Sequence, residues 1–348
     1  MDFLLEALKD DFEWKSITRD KFTLPKEITL PDIELVDTKR RIGIEVEVEN
    51  ILTRTTHDRA LWYTKEDGSL RNHGCEFITV PIKGDEIRYA VWQLMEALPA
   101  KADFSERTSI HVHVNVRDFQ KVHLLNLILL YIIFEKLLYR FAGPQRYRNI
   151  FCVPIQETKL SIAITNFLVN GDVHVLIKEW HKYSGMNLLP IAPQGTIEFR
   201  HMEGNRDVMR ILRWINLLFS MIKYAREMEF EQLFTTVQRL NSNSYYENFA
   251  LQVFKKSAQF VMPSSSIKYE MEHGVSTIKA ISLPSPFLLS LVKNIHNDSV
   301  LLRSLGISDK AVIQKEPVFK VPENAGLQWE AVPGDINIYA NPFGWEGR

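Results

Sequence analysis

The stretch Arg40–Asn50, "RRIGIEVEVEN", sets Glu45, Glu47 and Glu49 in strict alternation with Ile44, Val46 and Val48. Successive side chains of an extended chain point to opposite faces, so the carboxylates share one face and the branched aliphatics the other. The pattern recurs. In "TSIHVHVNV" (Thr108–Val116), His111, His113 and Asn115 lie opposite Ile110, Val112, Val114 and Val116. In "GTIEFRHMEG" (Gly195–Gly204), Thr196, Glu198 and Arg200 lie opposite Ile197 and Phe199, and in "GCEFITVP" Glu76 stands between Cys75 and Phe77. Any one of these suits a solvated sheet edge. Together they specify a sheet with an aliphatic back and a front carrying Glu45, Glu47, Glu49, Glu76, His111, His113, Glu198 and Arg200.

An aliphatic back must be covered, and the sequence supplies helices to cover it. "DEIRYAVWQLMEAL" (Asp85–Leu98) is ended by Pro99, a long apolar pattern runs from about Asp118 to Phe141 and stops at "AGPQ", and Asp207–Glu227 is amphipathic with Asp207 as N-cap. Strands that come singly or in pairs, separated by helices, give an α+β domain. Residues 1–37 read as an arm, a short amphipathic helix followed by a Pro-punctuated extended segment. Residues 38–230 form the domain, and 231–348 an accessory region of helix and loop that ends in a Pro-, Gly- and Asn-rich tail.

Charged strand faces invite a partner, and composition narrows which one. A net charge of −1 and a pI of about 6.8 leave no global footprint for nucleic acid or an anionic membrane. Two cysteines without a CxxC pair exclude a cysteine-built zinc site and a disulfide framework, and fit a reducing compartment. The acidic start "MDFLLEALKDDFEW" is not a secretory signal, and the most apolar run, Leu127–Phe134, is too short to span a bilayer and reads as a buried helix. The expectation is a cytoplasmic protein with no membrane partner.

Neighbouring carboxylates on a strand face stand about 7 Å apart. They repel by about 0.6 kcal/mol in water but about 2.4 kcal/mol at an effective dielectric constant near 20. The second figure exceeds one pKa unit, so in a cleft one acid protonates unless a cation intervenes. Carboxylate oxygens suit Mg²⁺ or Mn²⁺, and an imidazole in the set favours tolerance of Mn²⁺. No GxxxxGK[ST] loop, no GxGxxG after a strand and no GxSxG elbow is present.

The order ExE, "DGSL…GCE", "HVHV" and "Y…N…GTIEFR" resembles the amidoligase branch of the glutamine synthetase-like carboxylate–amine ligase superfamily, a branch that also occurs in phage genomes. The resemblance covers roughly Arg41–Ala225. It implies a curved, mainly antiparallel sheet with helices on its apolar face and a concave active-site face. It also implies ATP and two or three Mg²⁺ or Mn²⁺ ions: a carboxylate is activated as an acyl phosphate, and an amine displaces the phosphate to form an amide. Carried over, Glu45 and Glu47 ligate different metals, Glu76 joins Glu47, and His111 and Glu198 join Glu45. Arg200 holds the transferring phosphoryl group and His113 lies near the nucleotide or substrate. Asp67 in "EDGSL" is a further ligand, an orienter of the amine, or a turn residue. Tyr183 and Asn187 match the family's Tyr and Asn and are substrate candidates. Arg146 and Arg148 bind the substrate carboxylate or ATP, or form a solvated basic loop, and Arg206 stands at a helix start where phosphate is welcome or is a surface residue. Glu49 has no role in the pattern and reads as a rim charge.

Two features depart from the family. "SERTSIHVHV" replaces a glycine-rich approach to the HxH, and Thr79 stands where Ser is usual. Two other classes compete with a ligase: a binding or structural protein that keeps the fold, and a metal-dependent hydrolase or nuclease that uses the same acidic face. The two substrates (small molecule, peptide or protein) and the oligomeric state are left open.

Overall fold

The polar-front, aliphatic-back strands do assemble into one sheet. The structure is a computed structural model that describes residues 24–281 apart from positions 27, 54, 159, 171–172 and 263–266. The amphipathic N-terminal helix and the extended C-terminal tail expected from sequence lie outside the described residues. The strands are β1 (Ile42–Val48), β2 (Trp62–Lys65), β3 (Cys75–Thr79), β4 (Ser109–Asn115), β5 (Met186–Asn187) and β6 (Thr196–Glu203). They pair in the order β2-β3-β1-β4-β6-β5, and every pairing is antiparallel. β1 is an inner strand, bonded to β3 on one side and β4 on the other.

β2 and β5 escape a reading by alternation because they are too short to show a period. β2 has four residues of which only Trp62 is buried, and β5 has two. The four longer strands match the sequence pattern. Ile44, Val46, Val48, Phe77, Ile110, Val112, Val114, Ile197 and Phe199 are all buried in one hydrophobic core.

Helices cover that core, among them α1 (Asp85–Ala97), α2 (Lys121–Ala142) and, after α3 (Leu160–Asn170), α4 (Val173–Glu179) and α5 (Ile191–Gln194), the long α6 (Val208–Glu227). Then follow α7 (Phe230–Arg239), α8 (Asn243–Phe254), α9 (Ala258–Val261) and α10 (Ile267–Ile281). α2 packs on β6, α6 and α10, which explains why its apolar residues run all round the helix. It is long and apolar enough to cross a membrane by length and composition, but its surface is almost wholly buried within the protein. Gly274 lets α10 settle onto the α2 backbone, since a Cβ there would lie 2.1 Å from the Ile132 carbonyl oxygen. Tyr246, Phe249, Phe254 and Met271, all beyond residue 230, join the same core as the sheet.

α2 begins at Lys121 rather than near Asp118, with Gln120 and His123 capping each other's backbone amides. Asp118 is committed elsewhere: its carboxylate receives Arg40 at 2.8 and 2.9 Å and also pairs with Arg226. α6 starts where the sequence places it, with Asp207 Oδ1 accepting the Arg210 N–H at 2.9 Å. Further along α6, the Asn216 side chain clamps the segment before the sheet, donating to the Glu34 carbonyl at 2.9 Å and accepting from Val36 N–H at 2.8 Å. Asp207→Ala should cost about 1 kcal/mol, read as a lower urea midpoint at unchanged m, while Asp207→Asn should stay within a few tenths of wild type.

Candidate active site

Register brings the polar residues together. Glu45 stands opposite His111 and Glu47 opposite Glu76. His113 stands opposite Glu198, and Glu198 opposite Asn187. Directly opposed side chains in an antiparallel pair lie about 4.5–5.5 Å apart at Cβ, close enough for each pair to share one ion or proton. The β4–β6 ladder carries a bulge here. Val112 pairs with Phe199 and Ile110 with Met202, so His111 alone faces both Arg200 and His201. Such an extra residue re-aims a side chain and is a frequent neighbour of active sites. Arg200 goes to the front beside Glu198, and His201 to the back among Tyr131, Tyr139 and Trp214.

The bonds among the front residues are dense. Ser109 Oγ donates to Glu47 Oε2 at 2.6 Å and lies 2.7 Å from His111 Nε2. One hydroxyl has one proton, so with Glu47 receiving it, His111 Nε2–H is the donor to Ser109. That leaves the Nδ1 lone pair of a neutral His111 facing Glu45 Oε2 at 3.0 Å and Glu198 Oε1 at 3.3 Å. Three electron-rich atoms converge there, and the arrangement needs a proton or a metal cation among them. His113 Nε2 lies 3.2 Å from Glu45 Oε1 without the angle of a hydrogen bond, and its Nδ1 meets Thr196 Oγ1 at 3.2 Å.

Three trios could each surround a cation: Glu45–Glu76–His111, Glu47–Asp67–Glu76 and Glu45–His113–Glu198, each with one ligand atom per residue, all within 4.8 Å of one another. The donors are carboxylate oxygens with an imidazole in two of the three sets, the chemistry that suits Mg²⁺ and Mn²⁺. Charge balance agrees. Burial would raise the Glu45 carboxyl, but the adjoining His111 and His113 imidazoles outweigh it and hold Glu45 well below the usual range. Glu198 is lowered too, since His111, Arg200 and His113 overcome its burial. Glu76 has no such relief. Burial, then the charges of Glu45 and Glu47, push it up to about 8 against the small counter-effect of Lys65. This is the acid forced to keep its proton when no cation is present.

The other sequence candidates divide. Asp67 closes its own turn, accepting Ser69 N–H at 2.8 Å, and still brings an oxygen to the Glu47–Glu76 trio. Asn187 uses both ends of its amide: Nδ2 donates to Glu198 Oε2 at 2.7 Å and Oδ1 accepts Leu189 N–H at 3.1 Å. Arg200 donates to Glu198 and to the Phe151 carbonyl (3.1 Å), and sits over the Tyr183 ring at 5.9 Å. Arg146 is only 1 % exposed and donates to the Arg200 carbonyl at 3.0 Å, so it braces the backbone behind Arg200 and offers no surface to a substrate. Arg206 binds the carbonyls of Leu98, Pro99 and Ala102 after α1, away from any phosphate role at the start of α6. The Arg148 side chain lies outside the described residues. Glu49 is corrected: it is 3 % exposed, not a rim charge, and its Oε1 accepts Arg71 N–H at 2.7 Å. Thr79 accepts Ile44 N–H at 2.8 Å, a backbone duty that Ser could equally serve.

Ser109 and Thr196 hold the two histidines, yet only Thr196 was visible as a front residue. Ser109 lies two positions before His111 on the same strand face, so its period carried the signal.

Two outcomes follow from this charge arrangement. Between about pH 4.5 and pH 8 the native metal-free protein keeps the Glu76 proton that the unfolded chain releases, so its stability should fall as pH rises through that window. Glu76→Gln should flatten the fall in urea titrations. Mn²⁺ binding near pH 7 should release a proton and tighten up to about pH 8, as calorimetry in buffers of different ionisation heat would show; no proton release in wild type would refute the assignment. Glu49→Ala, which orphans the Arg71 amide, should cost about 1–3 kcal/mol, whereas Glu49→Gln keeps the acceptor and should be tolerated.

No curated protein matches the chain. The family model described as "Putative amidoligase enzyme" matches residues 53–222, from just after β1 into α6. The matched segment supplies Glu76, His111, His113, Glu198 and Arg200, and β1 inserts Glu45 and Glu47 between two of its strands. The match covers just under half of the chain, and residues 53–222 are similar to that family.

Proposed function

We propose that the protein is an ATP-dependent carboxylate–amine ligase that forms an amide through an acyl phosphate. The observation that carries the reading is the convergence of Glu45, Glu47, Glu76, His111, His113 and Glu198 on one sheet face, with Arg200 bonded to Glu198 at its edge. Glu45, His111, His113 and Glu198 surround one divalent-ion position in this reading, and Glu47, Glu76 and Asp67 another, with Glu45 and Glu76 close enough to bridge them. Mg²⁺ or Mn²⁺ held there would neutralise charge on the phosphoryl oxygens.

The chain's own groups supply positioning. Arg200 presents its planar guanidinium to the transferring phosphoryl group, a geometry Lys could not reproduce. Glu198, Asn187 and the Phe151 carbonyl fix where that guanidinium points. An oxygen of the substrate carboxylate attacks the γ-phosphorus of ATP and ADP leaves. The amine nitrogen then attacks the acyl carbon, the C–O bond to phosphate breaks, and the nitrogen loses a proton. Phosphoryl transfer of this kind asks a protein for charge neutralisation and alignment more than for covalent help.

Phosphate release from ATP, measured over a panel of carboxylates with amino acids and polyamines as acceptors, tests the reading. Amine-dependent release should occur in wild type and fall at least about a hundredfold in Glu47→Ala and Glu45→Ala. ATP binding without turnover on any acceptor would favour a binding protein. Metal-dependent hydrolysis without ATP would favour a hydrolase on the same face.

A further inference from the structure

Among the apolar residues of α2 runs a buried polar stripe. Tyr131, Glu135 and Tyr139 recur every four residues, which sets them on one helix face, and each is at most 1 % exposed. A buried carboxyl and two buried phenols are costly unless each finds a partner. Their partners lie mainly on one segment, residues 149–157, that crosses beside β5 and β6. Glu135 Oε1 accepts Ile155 N–H at 2.7 Å and Tyr131 OH at 2.7 Å. Tyr139 OH donates to the Cys152 carbonyl at 2.9 Å. Tyr131 also meets His201 Nε2 at 3.0 Å, behind the bulge that turns Arg200 forward.

From this segment the connections run straight to Arg200. The Phe151 carbonyl receives Arg200 Nε at 3.1 Å. Val153 exchanges backbone bonds with Tyr183 (2.6 Å) and Gly185 (3.1 Å), and the Gly185 carbonyl receives Arg200 N–H at 2.8 Å. Gly185 is the junction. A Cβ there would lie 2.6–2.7 Å from His201 Nε2, Tyr131 OH and Tyr139 OH, so only glycine lets the phenols reach up to the strap.

We infer that Tyr131, Glu135 and Tyr139 form a buried latch that holds residues 149–157 against the sheet and thereby fixes the guanidinium of Arg200. They are positioning residues, acting through Phe151 and Gly185 and touching no substrate. The inference rests on the reading in which Arg200 acts on the phosphoryl group. The same network explains an otherwise expensive choice, a fully buried carboxyl in the middle of an apolar helix. A leucine at 135 would pack as well against α2's neighbours but would leave the Ile155 amide without an acceptor.

Glu135→Leu, Glu135→Gln and Tyr139→Phe in the full chain test this by two readouts. Amide hydrogen exchange at residues 151–156 should quicken about tenfold or more in Glu135→Leu and Tyr139→Phe while β1 and β4 stay protected. In the amine-dependent phosphate-release assay the same two variants should lose about tenfold or more in kcat with the KM for ATP changed less than about threefold. Glu135→Gln, which keeps the acceptor, should stay within about threefold of wild type in both. Unchanged exchange at 151–156, a rise spread evenly over the whole sheet, a loss in KM alone, or a Gln variant as impaired as the Leu variant would each overturn the latch. If Glu135→Leu fails to fold, the milder Tyr139→Phe decides. Should wild type release no phosphate with any acceptor, the ligase reading falls, and the exchange data still decide whether the stripe holds the strap.

Discussion

Repulsion between carboxylates is what this protein is arranged around. Glu45, Glu47, Glu76 and Glu198 sit on a single sheet face, where each unrelieved neighbour raises the proton affinity of the next. Two imidazoles and one guanidinium relieve part of it, around Glu45 and Glu198. The rest falls on Glu76, which has only the small help of Lys65, its cross-strand neighbour on β2. What packs behind the sheet keeps these groups from moving apart: a continuous aliphatic back, the helices that cover it, and an outer helix laid directly on α2 through Gly274. A close-packed interior of this kind has few ways to yield.

Most of the front face was legible because a strand has an exact period of two and no freedom to hide it. The order of strands and helices gave the α+β class, and the alternation in four segments gave the buried back and a shared front for Glu45, Glu47, His111 and Glu198, which burial and sheet register match. The start of α6 was equally plain, since Asp207 has one local duty and performs it. α2 was placed three residues early because the acid at 118 answers two arginines far away in sequence, a demand no local pattern announces.

What the sequence hid shares a physical cause: it depends on partners that no period predicts. A bulge is one residue of surplus, invisible until a second strand is laid beside it. Arg146 and Arg206 look like anion binders by composition, and each is consumed by backbone carbonyls of remote segments. Glu49 continues the alternation one residue past β1, where its backbone bridges to Asp103 and its carboxylate takes the Arg71 amide. The buried stripe on α2 was in view as Tyr131, Glu135 and Tyr139, but its meaning required knowing that residues 149–157 pass overhead.

The inner position of β1 has a practical bearing. Similarity recognises the chain from residue 53, yet the strand that joins β3 to β4 ends at Val48. A fragment cut to the recognised boundaries would therefore be two half-sheets, each with a raw apolar edge exposed along its length, and would invite pairing between copies. The unit that similarity detects and the unit that folds are different lengths of the same chain, and the difference carries Glu45 and Glu47.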